Sequence, residues 1–501
     1  MRGFAPDFSN RLLWSAVAGC VLGLLPSGVC AASSREPTPA FRELKAAFPK
    51  LATHDIGDKN CDDPAYQASI ARFDFTLLGF YKGWRHGPAS MREAVRAIKA
   101  RHPSIIVANY TILESFNWNI NRPNRPAIID VVNQLDHGVG PTGHGGPWTP
   151  NDWWARTSTG QQVLAPNYPA DATTNLTRFV TPNADGDRYS QWFAKWCDEE
   201  FFKPVPELDV WYSDNAFYRP RVRADWDRDG HDDSKDDPNV RTYYRQGMAD
   251  FWAAINRLQP GLIVLANVDG NFDLAGRTEG FLVDPEYRGK LQGALFESAM
   301  GRNFSAERQW GWDRMMEAYR SLIDHTAAPH LVVFDVKATP DGLLLGPENE
   351  RQGYGGGKPY AFMRYAFAST LMENGYFAVK NGGYNKAATV WFDEFDLAGT
   401  ATTDWLGKAI DPPARKSYQG GVYLRRFEHG AALVNPRSNP GSKDNNRLAV
   451  DVAIPTGLGR YKRISGKQDS ATNNGVDLPL NTNGVPHVVI QPGDGIILVN
   501  Q

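Results

Sequence analysis

Two carboxylates in this chain stand at the ends of otherwise apolar runs. Asp214 closes Val210-Trp211-Tyr212-Ser213-Asp214, and Glu297 closes Gly293-Ala294-Leu295-Phe296-Glu297. A single acid so placed ends a turn as readily as it does chemistry. Two acids that converge on one hollow can do more. One can protonate a departing glycosidic oxygen while the other attacks the anomeric carbon or activates water. The proton donor needs its carboxyl pushed up by an apolar surround or a neighbouring carboxylate. On this reading Asp214 is the nucleophile or base and Glu297 the general acid.

Convergence depends on the elements that carry the two acids. Apolar runs recur near 51–55, 75–81, 105–110, 208–217, 262–269, 293–298, 330–337 and 375–380, with helical spacing between most of them. Continuous apolar strands alternating with helices predict a parallel sheet buried on both faces. Eight such units over roughly 340 residues suit an α/β fold of the (β/α)8 TIM-barrel type. A doubly wound open sheet fits the count less well. The barrel is expected over 32–412, with a long insertion at about 115–187 rich in Pro, Gly, Asn and Trp. Beyond Pro412-Pro413 the runs are short and separated by Asn, Gly, Pro and Ser, which predicts a C-terminal antiparallel β-sandwich over 413–501.

In such a barrel the strand C-termini form the active face. The polar residues there are candidates for holding sugar hydroxyls: His54, Tyr81, Lys82, Asn109, Tyr110, Asn215, Asn267, Asp269, Asp335 and Lys337. Trp148, Trp153 and Trp154 in the insertion are either stacking platforms for sugar rings or the insertion's own core.

After the fourth strand comes Asp225-Trp226-Asp227-Arg228-Asp229-Gly230-His231-Asp232-Asp233-Ser234-Lys235-Asp236. It fits a twelve-residue calcium loop. Asp225, Asp227 and Asp229 take the first three liganding positions, Gly230 the sharp turn, and His231 offers a carbonyl. Asp233 and Asp236 complete the set, the latter shorter than the usual Glu. A structural Ca2+ is therefore expected, and no organic cofactor. Gly138-Val139-Gly140-Pro141-Thr142-Gly143 has dinucleotide-loop spacing, but no strand precedes it and Pro141 spoils the turn. Neither a zinc-protease helix motif nor a nucleophile elbow is present.

The first 31 residues read as an export signal. Arg2 and Arg11 precede an apolar run from Leu12 to Val29 that ends in small residues. Secretion or periplasmic delivery is expected in preference to lipid anchoring at Cys20. The whole chain carries a net charge of −2; cleavage would remove Arg2, Arg11 and Asp7, a net +1, leaving −3. That balance gives no basic footprint for nucleic acid. The mature chain has no apolar run of membrane-spanning length, and a monomer acting on carbohydrate is expected. Cys61 and Cys197, the two cysteines outside the leader, are a candidate disulfide for an oxidising compartment.

Val210–Asn215 (VWYSDN), Ala294–Ser298 (ALFES), Val390–Asp396 (VWFDEFD) and Arg426–Pro436 carry a resemblance. The chain resembles glycoside hydrolases of the alpha-galactosidase-like barrel superfamily, especially the hypothetical bacterial families grouped with it. The resemblance implies a strand-four Asp nucleophile and a strand-six acid/base, which map onto Asp214 and Glu297. Several relatives carry Asp at the second position, so the Glu here leaves the division of roles open. A secreted hydrolase of O-glycosidic bonds is the reading. The rival is a non-catalytic carbohydrate-binding or exopolysaccharide-assembly protein on the same scaffold.

Overall fold

The computed structural model describes residues 36–55, 61–79, 90–117, 131–132, 134–135, 152–166, 168–268, 285–301, 305–337, 359–380, 391–436, 448–455 and 460–500. Residues 35–501 form one compact unit. Eight strands close a parallel barrel: β1 (Leu51–Asp55), β2 (Phe75–Leu78), β3 (Ile106–Ile112), β4 (Val210–Asp214), β5 (Ile263–Asn267), β6 (Gly293–Met300), β7 (Leu331–Lys337) and β8 (Tyr376–Lys380). The neighbours follow chain order, and β8 returns to β1. The expected TIM barrel is therefore the observed one.

Helices α1 (Pro64–Ile70), α2 (Met91–Arg101), α3 (Tyr189–Cys197), α4 (Pro238–Leu258), α5 (Trp312–His325) and α6 (Pro359–Leu371) lie between strands. Their starts are written in the sequence. Ser90 and Glu93 form a reciprocal capping box on α2. Asp237 caps α4 through the amides of Asn239 and Val240, with Pro238 in the first turn. After α3 the chain continues as a single wider π turn, Asp198–Phe202. Its last residue, Phe202, stacks on Trp211 at 3.8 Å.

Register decides which side chains face the barrel's inside. Paired residues on adjacent strands share a face, and successive residues alternate. Tyr110 pairs with Tyr212, Tyr212 with Leu265, and Asn267 with Leu295; His54 pairs with Leu77, and Asp335 with Ala378. These face inward. Asn109 and Trp211 pair on the outer face, under the helices. There the Trp211 indole donates to the Thr111 hydroxyl at 3.0 Å.

The insertion carries a three-stranded antiparallel sheet of Ser115–Asn117, Leu164–Ala165 and Tyr168–Thr173. Trp153 and Trp154 are buried in it. Trp153 packs on Tyr189 and Trp192, and Trp154 on Phe116. Of the two alternatives for these tryptophans, the core holds, because their indoles are out of reach of a sugar. Trp148 lies outside the described residues.

The C-terminal strands are β9 (Tyr423–Phe427), β10 (Gly430–Asn435), β11 (Val450–Ala453), β12 (Tyr461–Arg463), β13 (His487–Ile490) and β14 (Asp494–Asn500). They make a four-stranded sheet, β9-β10-β14-β12, and a two-stranded sheet, β11-β13. Leu433, Val452, Val488, Ile490 and Leu498 share the core between them. The sequence reading lacked β12, because two of its three residues are charged. Helix α6 packs on β14, and Gly495 is required there: a Cβ would lie 2.4 Å from the Arg364 carbonyl oxygen. The Arg364 guanidinium is itself almost fully buried and binds Asp494 and Asp469. Arg425, from β9, donates to the carbonyls of Leu371 and Glu373 that end α6. No helix among the described residues is long and apolar enough to cross a membrane.

Candidate active site

Asp214 ends β4 on the inner face and is half-buried. Its Oδ2 accepts the Tyr110 hydroxyl, and its Oδ1 accepts the Tyr212 hydroxyl at 3.0 Å and the Asn267 amide at 2.9 Å. The same Asn267 nitrogen donates to Glu297 Oε2 at 2.8 Å. Two oxygens held by one nitrogen at these lengths lie at most about 6 Å apart, close to the roughly 5–5.5 Å spacing of retaining glycosidases. The two acids read from the strand ends are thus brought together.

Local backbone explains how they are aimed. The residue after each acid sits in the left-handed region: Asn215 at φ 50° and Ser298 at φ 58°. Such a conformation costs a side-chain-bearing residue on the order of 1 kcal/mol and gathers at functional sites. The β6–β7 register also slips between Phe296 and Met300, a bulge that turns Glu297 relative to the strand.

Beside the pair, His54 from β1 and Asp335 from β7 are buried, with His54 Nδ1 at 3.7 Å from Asp335 Oδ1. Ligand atoms of His54, Asp335 and Glu297 all lie within 4.8 Å of one another. Among the described residues, neither ring nitrogen of His54 has a hydrogen-bond partner, and neither has Asp335 Oδ1. A gap of 3.7 Å is too long for a direct hydrogen bond, and both groups keep capacity for a sugar hydroxyl.

Other expectations change. Asn109 is fully buried on the outer face of β3, one residue out of phase with Tyr110, and cannot reach substrate. The Asn215 amide is committed to Glu114, at 3.1 Å. Asn267 spaces the two acids and does not face outward as a hydroxyl ligand. Tyr81, Lys82 and Asp269 lie outside the described residues, as does the side chain of Lys337. Cys61 and Cys197 are separate buried thiols and form no disulfide. Cys61 precedes α1 and Cys197 ends α3, helices of different sectors of the barrel. Burial pushes the Cys197 thiol well up.

Three residues were missed. Tyr212 lies two positions before Asp214, and this spacing alone puts both on one strand face. Glu114, just past β3, is almost fully buried, and Arg221 grips it with two hydrogen bonds of 2.6 and 2.8 Å. Burial pushes the Glu114 carboxyl up to about 7, against the pull of Arg221. Through Asn215 this pair holds the turn that follows Asp214. Nothing local in the sequence marks Arg221 as its partner.

In the acidic loop, carboxylate oxygens of Asp225, Asp227 and Asp229 lie within 4.8 Å of one another. Asp233 instead accepts the amides of Trp226 and Asp227, and Asp236 pairs with Arg219. Each of these two thus has a partner, the loop's own amides for Asp233 and the Arg219 guanidinium for Asp236. The His231 ring is solvent-exposed.

The structure is similar to Amy13B of Eubacterium rectale, at 8% identity and a TM-score of 0.50 over 92% of this chain and 97% of that one. It also matches the GH36 alpha-galactosidase AgaA of Geobacillus stearothermophilus at 11% identity and a TM-score of 0.43, over 92% and 56% of the two chains. The glycoside hydrolase domain of PelA from Pseudomonas aeruginosa matches at 15% identity and a TM-score of 0.38, over 68% and 99%. Similarity at these identities concerns the fold alone. No curated protein sequence matches the chain. The family model described as hypothetical glycosyl hydrolase family 15 matches residues 99–431, which span β3 to β10 and so include both acids, and the chain belongs to that family.

Proposed function

We propose that the protein cleaves O-glycosidic bonds of an oligo- or polysaccharide with retention of anomeric configuration, using Asp214 and Glu297. The observation that carries this is the single Asn267 nitrogen shared by both carboxylates, which keeps one oxygen of each within about 6 Å of the other and so supports the short spacing a covalent intermediate needs. A carboxylate accepting three hydrogen bonds presents an oriented anion. That suits Asp214 as the nucleophile.

In the first step an Asp214 oxygen bonds to the anomeric carbon as the glycosidic C–O bond breaks, and the Glu297 proton goes to the departing oxygen. In the second, Glu297 takes a proton from water, the hydroxide oxygen bonds to the anomeric carbon, and the Asp214 ester bond breaks. His54 and Asp335 bracket a hydroxyl of the same sugar. Export of the chain, with loss of Met1–Ala31, belongs to the same proposal.

The test is a panel of polysaccharides read by release of reducing ends, with Asp214→Asn as the control. Release by the wild type alone supports the reading. No release from any sugar, with binding retained, favours the non-catalytic alternative. The N-terminal residue of exported protein checks the leader.

A further inference from the structure

The acidic loop after β4 has features beyond a solvated run of aspartates. The insertion touches it along several lines. Asp225 N donates to the Arg156 carbonyl at 2.9 Å, Ser158 N to Asp232 Oδ1 at 2.6 Å, and Arg228 Nη1 to Asp152 Oδ2 at 2.5 Å. Asp152, Trp154, Arg156, Asn175, Asp225 and Gly230 line one cavity of about 430 Å3 between insertion and loop.

Two carboxylate oxygens in that lining are buried without a hydrogen-bond partner among the described residues: Asp225 Oδ1 and Asp152 Oδ1. The Asp152 side chain is only 1% exposed, and its other oxygen serves Arg228 and Thr181 N. A buried carboxylate oxygen with nothing to accept is costly unless a cation or water meets it. Asp227 and Asp229 add charge within 4.8 Å of Asp225. Gly230, at φ 88°, and Arg228, at φ 67°, turn the chain around this point.

We propose that Asp225, Asp227 and Asp229 bind one hard divalent cation of calcium's size, and that Asp152 of the insertion completes the site through a water in the shared cavity. All donors are oxygens, and a site with several carboxylates and a sharp turn suits Ca2+ better than Mg2+, which demands a tighter octahedron. Asp152 takes the part that Asp233 and Asp236 play in the sequence pattern, since both are bound elsewhere. The ion thereby ties the insertion, which follows β3, to the loop that follows β4, beside the rim where Asp214 lies. This inference stands independently of the glycosidase reading.

The experiment uses the full chain after chelator treatment, titrated with Tb3+ while emission excited through tryptophan is recorded. Trp226 is the loop's second residue, and Trp154 lines the cavity. Saturable emission displaced by Ca2+, with a rise in unfolding temperature as Ca2+ is added, is expected. Asp229→Asn, on an exposed side chain whose Oδ1 accepts the His231 amide, should weaken binding on the order of tenfold, and Asp152→Asn by a similar factor. Absence of saturable emission overturns the site. So does wild-type affinity in both Asp225→Asn and Asp229→Asn. Wild-type affinity in Asp152→Asn alone overturns the link to the insertion.

Discussion

The acids at the feet of the barrel strands and the two proposed catalytic acids at the other end keep different company. At the N-terminal end, Asp74 pairs with Lys45 at 2.7 Å and Asp209 with Lys99 at 2.5 Å. The same acids accept strand amides, Asp74 from Leu51 and Asp209 from Val107. Each charge there meets an opposite charge at the foot of a strand, around a cavity of about 630 Å3. At the C-terminal end, Asp214 is held by two tyrosine hydroxyls and an amide, all neutral. Asp335 faces an imidazole beyond hydrogen-bond reach. Acids matched to lysines are spent on holding strands, whereas acids held by neutral donors keep their charge available to a reacting carbon.

Substitutions can break this contrast at either end. The largest effect belongs to the proposed catalytic pair. Glu297→Gln should lower kcat by about a thousandfold or more on any substrate found, with a circular dichroism spectrum like the wild type's. Next comes the buried pair behind Asp214. Arg221→Met leaves Glu114 without its cation and should cost about 3–5 kcal/mol, read from urea unfolding at pH 8.

The same pair gives a pH dependence. The folded-state pKa of Glu114, about 7, lies above its unfolded value near 4.5. The native state therefore binds more protons between those values. Its contribution to stability is full below about 4.5 and is lost as pH rises through about 7. Glu114→Gln should flatten that part of the stability curve; an unaltered slope would deny Glu114 its role. A smaller effect is expected from Tyr110→Phe, which removes one of three donors to Asp214. It should lower kcat by about tenfold with KM little changed, and a change confined to KM would count against it.

Much of the barrel was legible because its strands are apolar throughout, as a sheet covered on both faces requires. The catalytic candidates were legible for the related reason that Asp214 and Glu297 interrupt those runs at their ends. Parity was harder. Asn109 and Tyr110 are adjacent, so only one can face inward, and one residue of phase reverses the answer. Partners distant in the chain were not legible at all: Arg221 meets Glu114 across 107 residues. The cysteines misled because an oxidising compartment permits a bridge that the helices carrying them do not form. In the acidic loop the spacing put forward Asp225, Asp227, Asp229, His231, Asp233 and Asp236, but it could not reveal that Asp233 accepts the loop's own amides or that Arg219 takes Asp236.

One paired measurement addresses the contrast most directly: kcat and unfolding temperature for Asp214→Asn beside Asp209→Asn. Asp214→Asn is expected to abolish turnover while melting at or above the wild-type temperature. Asp209→Asn should melt several degrees lower, about 1–3 kcal/mol less stable, and still turn over. Turnover retained by Asp214→Asn, or the two variants losing stability alike, would contradict it.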